Sequence, residues 1–103
     1  MTRAATLTRA DILRALDQHE DMLRRYSVKR IGLFGSYVRD EPQSGSDVDF
    51  LVEFETPTYD NFYDLNVSLE RLFGRRIELV TSSSLNPHLR PYVEEEVAWH
   101  EVR

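Results

Sequence analysis

The chain has 103 residues, a formal net charge of −5 and no cysteine. This length suits one domain with a single core, the missing thiols exclude disulfides and thiolate metal sites, and the acidic balance argues against wrapping a nucleic-acid backbone. The charge is uneven: residues 1–30 hold seven basic and four acidic side chains, residues 31–60 one basic and seven acidic, so divalent cations are drawn to the middle of the chain. No apolar run reaches the roughly 20 residues of a membrane helix. The stretch Met1-Thr2-Arg3-Ala4-Ala5-Thr6-Leu7 lacks the apolar core of a secretory signal. The expectation is a soluble, cytoplasmic protein with no membrane contact and no direct nucleic-acid contact.

Thr8 is placed to cap a helix, with Asp11 three residues on. Ile12, Leu13, Leu16, Leu23 and Tyr26 recur at helical spacing and predict one apolar stripe over about residues 9–25. Ile31, Leu33 and Phe34 are nearly continuous and predict a largely buried strand over 29–34. Gly35-Ser36 ends it. A short helix is expected over 36–41, stopped by Pro42, and Gln43-Ser44-Gly45-Ser46 is turn chemistry. Residues 47–54 alternate clearly: Val48, Phe50, Val52 and Phe54 face one way, Asp47, Asp49, Leu51 and Glu53 the other. Thr56-Pro57-Thr58 breaks that strand. Phe62, Leu65, Leu69 and Leu72 form a second helical stripe, closed by Gly74. Residues 75–81 predict a third strand, Ser82-Ser83-Ser84 and Pro87 a loop, and 88–97 a last short helix. His100 falls in a loosely ordered tail. This order predicts a small α/β sheet with helices packed against it. We divide it into an N-terminal helical segment (1–27), a core (28–81) and a C-terminal helical segment with its tail (82–103).

Two carboxylates, Asp47 and Asp49, sit two residues apart on one strand face. About 5 Å apart, two such charges repel by roughly 3 kcal/mol at an effective dielectric of 20. A hard cation such as magnesium turns that repulsion into attraction and keeps positions open for water and phosphate. Asp47 as a plain turn residue is the alternative. Glu78 is a charge inside the apolar run Ile77–Val80. If its strand neighbours 47–54, it completes a three-carboxylate site able to hold metal or act as a base; otherwise it is an outward charge on an edge strand. Gly35 and Ser36 follow a strand, so free N–H groups and the Ser36 hydroxyl could bind phosphate, with Arg39 one turn on adding charge. A plain strand-to-helix turn capped by Ser36 is the alternative. Tyr37 stacks near the ligand or packs. His19 and His88 read as helix and loop residues, and Glu94-Glu95-Glu96 as a solvated helical run. Tyr59, Tyr92 and Trp99 suit an interface or the core.

Joined together, Gly35-Ser36, ten intervening residues and Asp47-Val48-Asp49 resemble the signature of the polymerase-β-like nucleotidyltransferase superfamily. The length, and the Phe50-Leu51-Val52-Glu53-Phe54 that follows, resemble its minimal (MNT) members over about residues 28–97. The resemblance implies a small mixed sheet with the active site on one face. It implies Mg2+-dependent transfer of a nucleoside monophosphate from a triphosphate, with ATP as substrate and release of pyrophosphate. Asp47 and Asp49 match the metal ligands, and Gly35 and Ser36 the triphosphate-holding turn. Glu78 falls where the family usually has an aspartate, and Arg39-Asp40 departs from an Arg-Gly step common in relatives. Minimal members often pair with a HEPN-family RNase toxin, which they neutralise as antitoxins. The resemblance thus implies a hetero-oligomer in which AMP is transferred to a toxin hydroxyl, a tyrosine for preference. The alternatives are an antitoxin that only binds its toxin, and a small-molecule nucleotidyltransferase of the aminoglycoside type. The latter carries extra acceptor-binding helices that this sequence lacks.

Overall fold

The computed structural model describes residues 7–42 and 46–103. The elements are α1 (Arg9–Gln18), α2 (Glu20–Arg25), β1 (Val28–Phe34), β2 (Val48–Phe54), α3 (Tyr59–Phe73), β3 (Ile77–Thr81), a 3-10 turn over Ser82–Ser84, α4 (Arg90–Glu96) and β4 (Ala98–Glu101). Thr8 caps α1 through a reciprocal box: its hydroxyl accepts the Asp11 N–H and the Asp11 carboxylate accepts the Thr8 N–H, each at 3.1 Å. The stripe expected as one helix is two. His19 leaves helical geometry at φ −119, ψ 36, and its Nδ1–H donates to the Ala15 carbonyl at 2.8 Å, closing the first helix. The apolar face continues across the break, with Ile12, Leu16 and Leu23 fully buried. Thr58 caps α3, and Gly74 ends it in the left-handed region.

The strands form one mixed sheet in the order β3-β2-β1-β4. β1 is antiparallel to β2 and to β4. β2 and β3 are parallel, and α3 joins them as the crossover that a parallel pair requires. The expected alternation along β2 holds. Val48, Phe50 and Val52, with Ile31, Leu33, Ile77 and Leu79, pack against residues of α1, α2 and α3 in the main core. On the other face Leu51 packs with Leu85 and Val93 of α4, joined by Phe34, Val80 and Trp99. The acidic positions of β2 lie on this second face.

Two further expectations are corrected. Residues 36–40 form turns, not a helix. The Ser36 carbonyl accepts from both Arg39 and Glu41 N–H, at 3.2 and 2.9 Å, and Asp40 at φ 54 reverses the chain after a single turn. The tail is not loose: Ala98–Glu101 pairs with β1 from Leu33↔Ala98 to Arg30↔Glu101. His100 lies in that strand, with Nε2 2.6 Å from Glu20 Oε2. The turn expected over 43–46 lies, except for Ser46, outside the described residues, as do residues 1–6.

Asp40 explains the departure from an Arg-Gly step. Its conformation favours glycine, and aspartate is among the side chains that tolerate it. In return, its carboxylate accepts the Arg9 N–H at 2.7 Å, tying the bend to the start of α1. Asp40→Ala loses this acceptor and keeps a Cβ at positive φ, so a cost of about 1–2 kcal/mol is expected in urea unfolding. Asp40→Gly loses the acceptor alone and should cost less. Equal costs would show that backbone conformation is not the cause.

Candidate active site

Register decides where the acids meet. Asp49 on β2 pairs with Glu78 on β3, and partners in a parallel pair project from the same face. Asp47 precedes β2 by one residue, on the same alternation as Asp49. Across the other edge of β2, Asp49 pairs with Phe34, the last residue of β1. The chain therefore leaves the sheet at Gly35 directly beside the Asp49 carboxylate. Gly35 has φ 82, and a Cβ there would collide with Asp49 Oδ2. Only glycine satisfies both demands without strain.

The site is electrostatically unbalanced. Burial raises the Asp49 pKa first, and Glu78, Asp47 and Glu96 raise it further against the opposing pull of Arg39, bringing it to about 6. Glu53, four residues along the same face, behaves oppositely. The Arg30 guanidinium at 2.8 Å and the Ser82 hydroxyl at 3.1 Å hold it below the usual carboxylate range. Arg30 itself lies 3.8 Å over the Trp99 ring. One acid of β2 is thus matched by the protein, and the other is surrounded by like charge. Oxygen-only donors and uncompensated negative charge around Asp49 fit a hard divalent cation, which Asp47, Asp49 and Glu78 would hold.

The bend supplies the other half. Among the described residues the Ser36 hydroxyl has no hydrogen-bond partner, and Ser36 caps no helix. Tyr37 is buried at 5% exposure and anchors the bend in the core, its hydroxyl accepting from Arg75 Nε at 3.4 Å; the packing alternative is the one observed. Arg39 is engaged at Nε by Glu41, 3.3 Å, and at Nη1 by Glu96, 2.5 Å. Glu96 also accepts the Gly35 N–H at 2.8 Å. Sequence reasoning missed this residue, because a run of three glutamates reads as solvated surface and nothing in it marks the third. His88 is exposed on its loop, Tyr59 and Tyr92 are exposed, and Trp99 packs in the second core.

A tighter group of ligand-type atoms lies elsewhere. Those of Asp17, Glu20 and His100 fall within 4.8 Å of one another. Glu20 is already served there by His100, Arg24 and the Arg103 N–H. Burial pushes its pKa up, but these partners outweigh it and hold the group low.

The raised Asp49 pKa sets a pH dependence. The folded state binds a proton at about 6 that the unfolded chain releases near the ordinary value of 3.8. Stability from this group is full below the lower value and is lost as pH rises through the upper one. In chelator, Asp49→Asn is therefore expected to be more stable than wild type at about pH 7.5. The gain is on the order of 1 kcal/mol after allowing for solvent screening of a partly exposed group. The advantage should vanish near pH 4. Denaturant unfolding at both pH values checks this; an equal or lower stability at the higher pH would contradict it.

Residues 16–100 match the nucleotidyltransferase domain family. The chain is 44% identical over 97 residues to the protein adenylyltransferase MntA of Thermococcus cleftensis, covering 92% of this chain and 98% of that one. Its fold superposes on a solved structure described as a candidate minimal nucleotidyltransferase with a TM-score of 0.77 at 29% identity, covering 92% and 98% of the two chains. It also shares a fold, at TM-score 0.59 and 22% identity over 82% and 67%, with a solved complex of an MNT antitoxin and a tri-AMPylated Shewanella oneidensis HEPN toxin. The glycine-serine bend and the paired acids thus stand in a chain that belongs to the nucleotidyltransferase domain family, among its minimal members.

Proposed function

We propose that this protein transfers AMP from ATP to a hydroxyl, a tyrosine for preference, on a HEPN-family toxin, and thereby neutralises it as an antitoxin. The observation that carries this reading is the in-register meeting of Asp49 and Glu78 beside the Gly35-Ser36 bend. Adenylyl transfer to protein is supported by the relative named for that activity. The toxin partner is supported by the shared fold of the MNT antitoxin in the HEPN complex.

In the reaction, the acceptor oxygen bonds to the α-phosphorus. The bond from that phosphorus to the β-bridging oxygen breaks, and pyrophosphate leaves with the electron pair. Ser36, the backbone of the bend and Arg39 hold the β- and γ-phosphates. Asp47 and Asp49 would hold magnesium, with Glu78 as the third oxygen donor. The ion, when bound, supplies Lewis-acid polarisation of the phosphate and offsets the acids' charge. Glu78, the exposed member of the set, would take the acceptor's proton.

The test is incubation of the chain with α-labelled ATP, magnesium and a HEPN partner. Label should appear on the partner, disappear with chelator, and fall by about a thousandfold or more in Asp49→Asn. Wild-type transfer by Asp49→Asn would defeat the carboxylate reading. A partner silenced without added AMP would make this an antitoxin that acts by binding.

A further inference from the structure

We propose that Glu96 is a positioning residue for the triphosphate, acting through Arg39 and the Gly35 bend; this rests on the nucleotidyl-transfer reading above. Its two carboxylate oxygens are divided between the two parts of the candidate phosphate element. Oε2 accepts the Gly35 N–H at 2.8 Å, and Oε1 accepts Arg39 Nη1 at 2.5 Å. Glu96 ends α4, so one side chain links the far layer of the fold to both the bend and its arginine.

The position is a costly one for an anion. It lies at a helix C-terminus, where negative charge is disfavoured, and close enough to Asp49 to raise that residue's pKa. A neutral acceptor would satisfy the Gly35 N–H equally well. What requires a carboxylate is Arg39. Free arginine side chains lose substantial rotamer entropy when ordered, and a prepaid ordering favours ligand binding. Glu41 also touches Arg39, but its side chain is 70% exposed, against 27% for Glu96, so Glu96 is the firmer tie. With Nε and Nη1 occupied, Nη2 has no acceptor among the described residues and is left to face an anion. The bend closes on itself through the Ser36 carbonyl, and Tyr37 and Val38 are fixed in the main core. Glu96 is the brace on the opposite side.

The test compares ATP and AMP binding with magnesium present and no HEPN partner, so that transfer has no acceptor. Binding is read by NMR titration of wild type, Glu96→Gln, Glu96→Ala, Arg39→Ala and the double variant Arg39→Ala/Glu96→Ala. Glu96→Ala should weaken ATP by about tenfold and leave AMP, which lacks the β- and γ-phosphates, within twofold of wild type. Glu96→Gln, which keeps an acceptor for Gly35 and the side-chain shape, should fall between. In the Arg39→Ala background, Glu96→Ala should weaken ATP by no more than about a further twofold. Unchanged ATP affinity in Glu96→Ala, equal losses for ATP and AMP, or fully multiplicative effects of the two substitutions would each overturn the proposal. Failure of the wild-type chain to bind ATP would instead overturn the nucleotidyl-transfer reading on which it rests.

Discussion

The contact between the Asp49 carboxylate and the Cα of Gly35 governs the rest of the site. Because Phe34 pairs with Asp49, the residue after Phe34 leaves the sheet beside that carboxylate whatever its identity. Sterics and torsion then make separate demands, a missing Cβ and φ 82, and glycine meets both. Once the bend is fixed there, Ser36 and Arg39 can lie only close by. Tyr37 and Val38 enter the core, and Asp40 reaches α1. A short loop without regular structure is held at several points along its length. Such a loop can present unpaired donors without collapsing onto them.

Charge distribution separates scaffold from site on a single strand. Glu53 and Asp49 share a face of β2, yet one pKa is lowered and the other raised. The difference lies in their neighbours: Arg30 and Ser82 for Glu53, Glu78 and Asp47 for Asp49. A small domain has only about 5–15 kcal/mol of net stability, so collecting acids beside Asp49 is a sizeable concession. Folding alone gives no return for it. Proteins commonly hold such unfavourable arrangements where activity needs them.

The elements that pack by period were legible in the sequence. Alternation along Val48–Phe54 gave the right faces, because one face meets a continuous helical core and the other carries the acids. Thr8 and Gly74 marked helix ends because capping is local chemistry. The break at His19 was hidden, since the apolar stripe runs through it. The bend at 36–40 looked helical because a turn and a helix share their first hydrogen bonds. What separates them is Asp40 at positive φ, which no neighbour announces. β4 escaped notice because Trp99, Arg30 and Gly32 cooperate only once folded. A Cβ on Gly32 would meet Val97 and the Trp99 ring, so its absence admits the fourth strand. Glu78 lies on the face opposite Ile77 and Leu79, as period 2 requires. Its partnership with Asp49 depended on strand order, which the sequence does not state. The contact of Glu96 with Gly35 spans 61 residues of sequence and could not be read there.

Two acidic groups among the described residues also show why proximity alone is a poor guide to a metal centre. Asp17, Glu20 and His100 bring their ligand-type atoms within 4.8 Å of one another, but Glu20 spends its oxygens on His100, Arg24 and a backbone N–H. That cluster is a clasp between α2 and β4, and its hydrogen bonds already offset its charge. Asp47, Asp49 and Glu78 are less tightly gathered. Around Asp49 the protein supplies more negative charge than positive, leaving an electrostatic debt that a cation can settle. Binding free energy comes from that imbalance, not from short distances between atoms that are already satisfied. A glutamate in the third place, exposed on the edge strand, fits the same logic. On the proposed reading, its extra methylene would extend the oxygens across the strand spacing, and the open edge would let them turn toward an ion or an incoming hydroxyl.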